Sequence, residues 1–135
     1  MLKFKSTVIL LFFCCMFTAV FAAEPPKEGE SLPEIVLSAP QDVNWQQYLG
    51  VGGVGDISVF DIQADVVLIQ IFSMYCPYCQ ADAPHVNELY QKIQASPEIR
   101  KRLKLLGIGA GNSRFEVDFF RNKYNIAFPL FADDA

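Results

Sequence analysis

Apolar positions along this chain recur in three spacings, and each spacing predicts a different element. The near-continuous β-branched run Val66-Val67-Leu68-Ile69-Gln70-Ile71-Phe72 predicts a central strand buried on both faces. After Cys76, the residues Val86, Leu89, Tyr90 and Ile93 stand at i, i+3, i+4 and i+7, the stripe of an amphipathic helix. Ser96-Pro97-Glu98 supplies a cap, a proline at the first helical position and an early acid, so a short helix follows. Residues 103–108 predict a second buried strand. Ser113 with Glu116 makes a capping-box signature, opening a helix that presents Phe115, Phe119 and Tyr124 as core. Residues 127–131 predict a third strand. Strand, helix, strand, helix, strand is the order of a parallel α/β sheet. Ahead of it the pattern is irregular over residues 32–55, with Trp45 and Tyr48 as anchors of an N-terminal extension, and residues 57–63 alternate like a short strand.

The densest apolar stretch lies at the start. Lys3 and Lys5 precede an apolar run over residues 7–21 that exits through Ala22-Ala23, the layout of a secretory signal peptide. The alternative for residues 1–23 is an uncleaved membrane anchor, although a span needs roughly 20 apolar residues and this run is shorter. Residues 24–31, rich in Pro and Glu, read as a linker, and residues 32–135 as one domain. Excluding the leader leaves nine basic against fifteen acidic residues, a net charge of −6. That balance offers no footprint for nucleic acid. Composition also excludes a disordered, collagenous or polytopic membrane chain.

Of the four cysteines, Cys14 and Cys15 lie in the apolar leader. Phe13 stands where a lipid-attachment signal needs a small residue, so these two count as apolar filler. Cys76 and Cys79 remain, too close together to staple a fold. In an oxidising compartment such a pair closes unless something reduces it, which points to chemistry rather than architecture. The run Tyr75-Cys76-Pro77-Tyr78-Cys79 sits between a buried strand and a helix. A helix N-terminus carries unsatisfied N–H groups and a partial positive charge, which favours a thiolate. Cys76 is therefore the candidate nucleophile, with a pKa lowered from the ordinary thiol value. Cys79, one turn into the helix, is the shielded resolving thiol. Pro77 suits the first turn, where its missing N–H is no loss. The pair needs neither a bound cofactor nor a metal to exchange disulfides.

With the strand, the Cys-Pro-Tyr-Cys motif and Pro84 in place, the stretch from residue 66 to residue 84 resembles the active-site strand and helix of the thioredoxin superfamily. Over residues 31–135 the chain is similar to exported TlpA/ResA-type thiol–disulfide oxidoreductases, through its leader, its N-terminal extension and the segment ending Phe128-Pro129-Leu130-Phe131-Ala132-Asp133. The resemblance implies a thioredoxin-like α/β fold, a mostly parallel central sheet flanked by helices, whose C-terminal hairpin and helix would lie beyond residue 135. It implies a redox-active Cys76–Cys79 disulfide, with Pro77, Tyr78, Asp82 and Pro84 supporting the motif. It also implies exported, periplasmic partners bearing thiols or disulfides, and a membrane redox partner.

Several positions depart from that pattern. Tyr75 stands where the family has Trp, and the proline directly follows Cys76, a dipeptide shared with glutaredoxins and similar to that of DsbA-type oxidants. The direction of electron flow stays open on this ground. Gln70 occupies the place of a buried Asp and cannot take a proton from Cys79. Asp82, two residues before Pro84, stands at the place of a Glu in ResA-like proteins, where it would relay protons; a solvated helix carboxylate is the equal alternative. Pro129 is not assigned as the superfamily's cis-proline.

Three other chemistries compete. A peroxiredoxin-like peroxidase shares the Phe-Pro-Leu look, but its nucleophile needs Pro-x-x-x-Thr-x-x-Cys, and Ile69 and Ser73 stand at the first two positions. A soft-metal (copper) delivery protein would use Cys76, Cys79 and Met74; His85, the only histidine, is nine residues from Cys76. Two Gly-rich runs mimic dinucleotide turns. Residues 50–55 neither follow a strand nor open a helix, and residues 107–112 carry Asn112 in place of the third glycine. Gln80 after Cys79 rules out c-type haem attachment.

Overall fold

Two sheets organise the chain, which the computed structural model describes over residues 26–133. The first is a ribbon in which β1 (Val36–Ser38) pairs antiparallel with β2 (Asp56–Ser58), Leu37 opposite Ile57. Between them runs α1 (Val43–Leu49), started by the Asp42 carboxylate accepting the Asn44 N–H at 2.8 Å. It stops at Gly50, whose φ of 70° favours a residue without a Cβ. The second sheet is parallel, in the order β3 (Val66–Phe72), β4 (Leu103–Ala110), β5 (Leu130–Asp133), with Val66 opposite Leu103 and Gly107 opposite Leu130. Helices α2 (Pro77–Ala95) and α3 (Pro97–Arg102) join β3 to β4, and α4 (Arg114–Tyr124) joins β4 to β5. The caps at Ser96 and Ser113 form as their sequence signatures predict.

β4 is the central strand, and its alternation divides the core. Leu106 and Ile108 face a cluster with Leu37, Leu49, Ile57 and Phe131. Leu105 faces the other, where α2 and α4 bring Ala83, Ile93, Val117 and Phe120 onto Phe72 and Phe128. Gly107 and Gly109 share that helical side. A methyl group at Gly107 would lie 2.5 Å from Leu130 Cδ2, and one at Gly109 would lie 2.9 Å from Val117 Cγ2. The glycines that mimic a phosphate-cradling turn thus sit inside a strand, where they admit a close approach of β5 and α4.

Tyr48 acts as the anchor that its position suggests. β4 meets β5 only from Gly107 onward, so Leu105 lacks a partner there. The Tyr48 hydroxyl accepts the Leu105 N–H at 2.9 Å and donates to the Leu105 C=O at 3.4 Å. Trp45 and Tyr90 pack edge-on against the Tyr48 ring. Tyr48→Phe should lower the unfolding free energy by about 1–3 kcal/mol, because it strands a buried backbone N–H. Urea denaturation checks this, and an unchanged midpoint would mean that water replaces the hydroxyl.

Four expectations are corrected. β3 is not buried on both faces: Val66, Leu68 and Ile71 are exposed, and β3 is an edge strand paired only with β4 among the described residues. The alternation over residues 57–63 yields only β2 and then a 3₁₀ turn, Val59–Asp61, whose capping box joins Ser58 and Asp61 and turns Phe60 outward. The third strand begins at Leu130, with Ile126 and Phe128 buried ahead of it. Finally, Phe115 and Phe119 are exposed, since the buried stripe of α4 consists of Val117 and Phe120, with Tyr124 alongside.

From Pro33 onward the chain forms one compact unit. Before it, among residues 26–32, the Glu30 N–H donates to the Lys27 C=O in an exposed turn. The expected leader, including Cys14 and Cys15, falls outside the described residues. Among the described residues, no helix is long and apolar enough to cross a membrane.

Candidate thiol site

The site begins where β3 ends. Phe72 is buried against Phe120, ring centroids 4.6 Å apart, so the backbone leaves the sheet from a fixed point. Ser73, Met74 and Tyr75 follow, and the Ser73 C=O accepts the Cys76 N–H at 3.0 Å. Cys76 is the N-cap of α2 with extended backbone, and Pro77 takes the first helical position. Its Sγ accepts the Cys79 N–H at 3.3 Å, so sulfur takes the role that an oxygen fills in most caps. Cys79, in the first turn, packs partly buried against the helical-side core. Both thiols are free.

This geometry separates the acidities of the two sulfurs. Cys76 is pulled below the ordinary thiol value, first by a hydrogen bond from the Cys79 side chain and then by the N–H groups of Cys79 and Tyr78. Cys79 is pushed above it, chiefly by burial and then by its contact with Cys76. As pH rises, Cys76 should therefore become thiolate and react before Cys79 does. Iodoacetamide alkylation of the reduced protein, followed by peptide mass across pH 5 to 10, should give Cys76 the lower midpoint. The reverse order would mean that the helix N-terminus does not control this pair.

Around the pair, Tyr78 is almost fully exposed and Tyr75 is exposed. The Tyr75 hydroxyl donates to the Glu116 carboxylate at the start of α4. Glu116 also accepts from the Ser113 N–H and hydroxyl, each at 2.7 Å. Led by the Tyr75 bond, these donors hold Glu116 below the usual carboxylate range. Asp82 lies on the solvent side of α2, 3.4 Å from His85 Nδ1. Pro84 sits inside α2, where it cannot donate to the Gln80 C=O. Gln70 is half-buried in β3. Met74 packs against the helical-side core, as Cys79 does. Every peptide bond among the described residues is trans, that of Pro129 included. A cleft of about 410 Å³ lies between the β1–α1 loop, α4 and β5, and neither thiol lines it.

Sequence reasoning passes over three residues at this site. Gln80 donates from Nε2 to the Met74 C=O at 2.8 Å. Asn112, fully buried, accepts the Met74 N–H on Oδ1 at 2.7 Å. Glu116 reads only as a helix cap. The one trace of Asn112 in the sequence is that it breaks a glycine motif.

Residues 29–135 match the profile of the AhpC/TSA family. The chain belongs to this family. Among its relatives, the thiol-disulfide oxidoreductase ResA of Bacillus thuringiensis subsp. konkukian is 23% identical over 132 residues, covering 93% of this chain and 66% of that protein. The ResA of Halalkalibacterium halodurans is 22% identical over 77 residues, 57% of this chain and 41% of that protein. The chain spans about half the length of the curated relatives it matches. Among solved structures, a thiol:disulfide interchange protein DsbE from Chlorobium tepidum superposes with a TM-score of 0.54 at 16% identity, covering 76% of this chain and 60% of that one. The fold of this AhpC/TSA chain is thus thioredoxin-like, and the likeness to ResA that its motifs carry is met by the relatives.

Proposed function

We propose that this AhpC/TSA chain is a thiol–disulfide oxidoreductase that exchanges disulfides with exported proteins through Cys76 and Cys79. The observation that carries the reading is the free thiol pair at the start of α2, with Cys76 Sγ receiving the Cys79 N–H. The Cys76 thiolate attacks one sulfur of a substrate disulfide, forming a mixed disulfide and expelling the other sulfur as a thiolate. Cys79 then loses its proton and attacks Cys76 Sγ. The bond to substrate breaks, the second substrate thiolate leaves, and a Cys76–Cys79 disulfide remains. Two electrons pass to the substrate, and the two thiolates take up protons from Cys79 and solvent. Run backwards, the same steps oxidise a dithiol, so the reduction potential of the pair decides the direction.

The assigned roles follow from acidity and access. Cys76 is the nucleophile because it is the more acidic sulfur at the helix end, and Cys79 is the resolver because burial raises its pKa. Pro77 holds the first turn of α2, and exposed Tyr78 borders the nucleophile. Asp82, turned to solvent beside His85, is assigned no step. Export of the protein, by a leader over residues 1–23 that is cleaved or kept as an anchor, belongs to the same proposal. So does a membrane redox partner that restores the pair.

Copper delivery is the weaker reading, because Met74 is engaged in the core and His85 faces solvent. The deciding measurement is the equilibrium of the Cys76–Cys79 couple against a glutathione series, with insulin reduction alongside. A potential near −270 mV would mark a reductant and one near −120 mV an oxidant, the values of thioredoxin and DsbA. Stoichiometric Cu(I) uptake with no thiol exchange would replace this reading with the metal one.

A further inference from the structure

Both backbone polar groups of Met74, two residues ahead of the nucleophile, are held by side chains from outside the segment that joins β3 to α2. Its N–H donates to Asn112 Oδ1 at 2.7 Å, and its C=O accepts from Gln80 Nε2 at 2.8 Å. Asn112 is 1% exposed and is the buried polar residue of the described core. Its other groups are engaged as well. Its N–H donates to the Gly109 C=O at 2.9 Å, its C=O accepts the Asp133 N–H at 3.3 Å, and Nδ2 approaches Ser73 Oγ at 3.5 Å. The backbone of Asn112 thus ties the C-terminal ends of β4 and β5 together, and its side chain joins them to the segment leaving β3. Gly109 is what lets it come so close, since a Cβ there would stand 3.2 Å from Asn112 Cβ.

We propose that Asn112 and Gln80 are positioning residues for the thiol pair, acting together through the backbone of Met74. Resting on the exchange reading above, this deepens it by naming what holds the sulfurs at the helix end. The Ser73 carbonyl that receives the Cys76 N–H belongs to the same peptide group as the Met74 N–H that Asn112 holds. Fixing Met74 at both ends therefore fixes Ser73 beneath the pair. With the clamp closed, Cys76 Sγ stays within reach of the Cys79 N–H, and Cys79 stays packed on the core. An amide suits this task better than a carboxylate. It serves as acceptor and donor at once, and it places no charge in a buried site beside a developing thiolate.

The predicted signature is a change of opposite sign at the two cysteines. In reduced Asn112→Ala at pH 7, the rate of Cys76 alkylation by iodoacetamide should fall about tenfold, within the range over which helix-end donors alter thiolate population. Cys79, losing its cover, should react faster. A purely structural role for Asn112 would lower the thermal midpoint and raise both rates together, and that outcome would overturn the proposal. So would a folded Asn112→Ala with wild-type rates at both sulfurs. If Asn112→Ala shows no cooperative thermal transition, Gln80→Ala opens the clamp from the helix surface and should lower the Cys76 rate about threefold, again with a rise at Cys79. An unchanged ratio in that variant is equally fatal. Exchange of the wild-type couple with glutathione is measured separately. Its absence would remove the oxidoreductase reading while the alkylation ratios still test the clamp.

Discussion

Cys76→Ser should bring insulin reduction down to the uncatalysed background, a loss on the order of a thousandfold or more, while leaving the fold intact. Serine keeps a capping oxygen for the Cys79 N–H, so α2 retains its start and only the nucleophile is lost. Cys79→Ser should behave differently. The first exchange still occurs, but nothing attacks the mixed disulfide from inside, so substrate should accumulate covalently on Cys76. Non-reducing electrophoresis, with the adduct released by dithiothreitol, checks both variants. Adducts trapped by Cys76→Ser rather than by Cys79→Ser would reverse the assigned roles. Full insulin reduction by both variants would place the activity outside this pair.

The largest expected loss of stability comes from Phe120→Ala, at about 3–5 kcal/mol. Phe120 is 1% exposed, stacks on Phe72 at 4.6 Å and meets the Tyr124 ring at 4.7 Å. It is therefore a main contact pressing α4 onto the end of β3, one residue before the segment that leads to the thiols. Net stabilities of single domains are only about 5–15 kcal/mol, so this change should leave little of the folded state at 37 °C. The adjacent aromatic provides the control. Phe119 is 47% exposed, and Phe119→Ala should cost under about 1 kcal/mol. Urea midpoints at unchanged slope decide between them. Equal losses at the two positions would mean that α4 is rotated from the orientation described. Its hydrophobic spacing alone, read through Phe115 and Phe119, predicts that other orientation.

That contrast shows how far the sequence reaches. Elements whose cause is local are legible in it: the capping box of Ser113 and Glu116, the Ser96-Pro97 start, the helix after Cys76, and the parallel order of strands and helices. The placement of Cys76 and Cys79 at a helix start is legible for the same reason, since a strand, a Pro at the first turn and a helix N-terminus are all encoded within a few residues. Tyr48 is legible as an anchor, although not the Leu105 backbone that it satisfies across 57 residues of chain. What depends on which surface a neighbour covers is not legible. The run at β3 is apolar enough for burial on both faces, yet Ile71 is 61% exposed, because exposure is set by what packs over each face and not by composition. Phe119 and Phe120 are chemically equivalent in the sequence, and a helix turns by about 100° per residue, so only the packing of α4 on the sheet decides which is core. Asn112 is the clearest case. An asparagine after a glycine-rich strand has no local signal, and it becomes a clamp only when the ends of three parallel strands bring Met74, Gly109 and Asp133 around it.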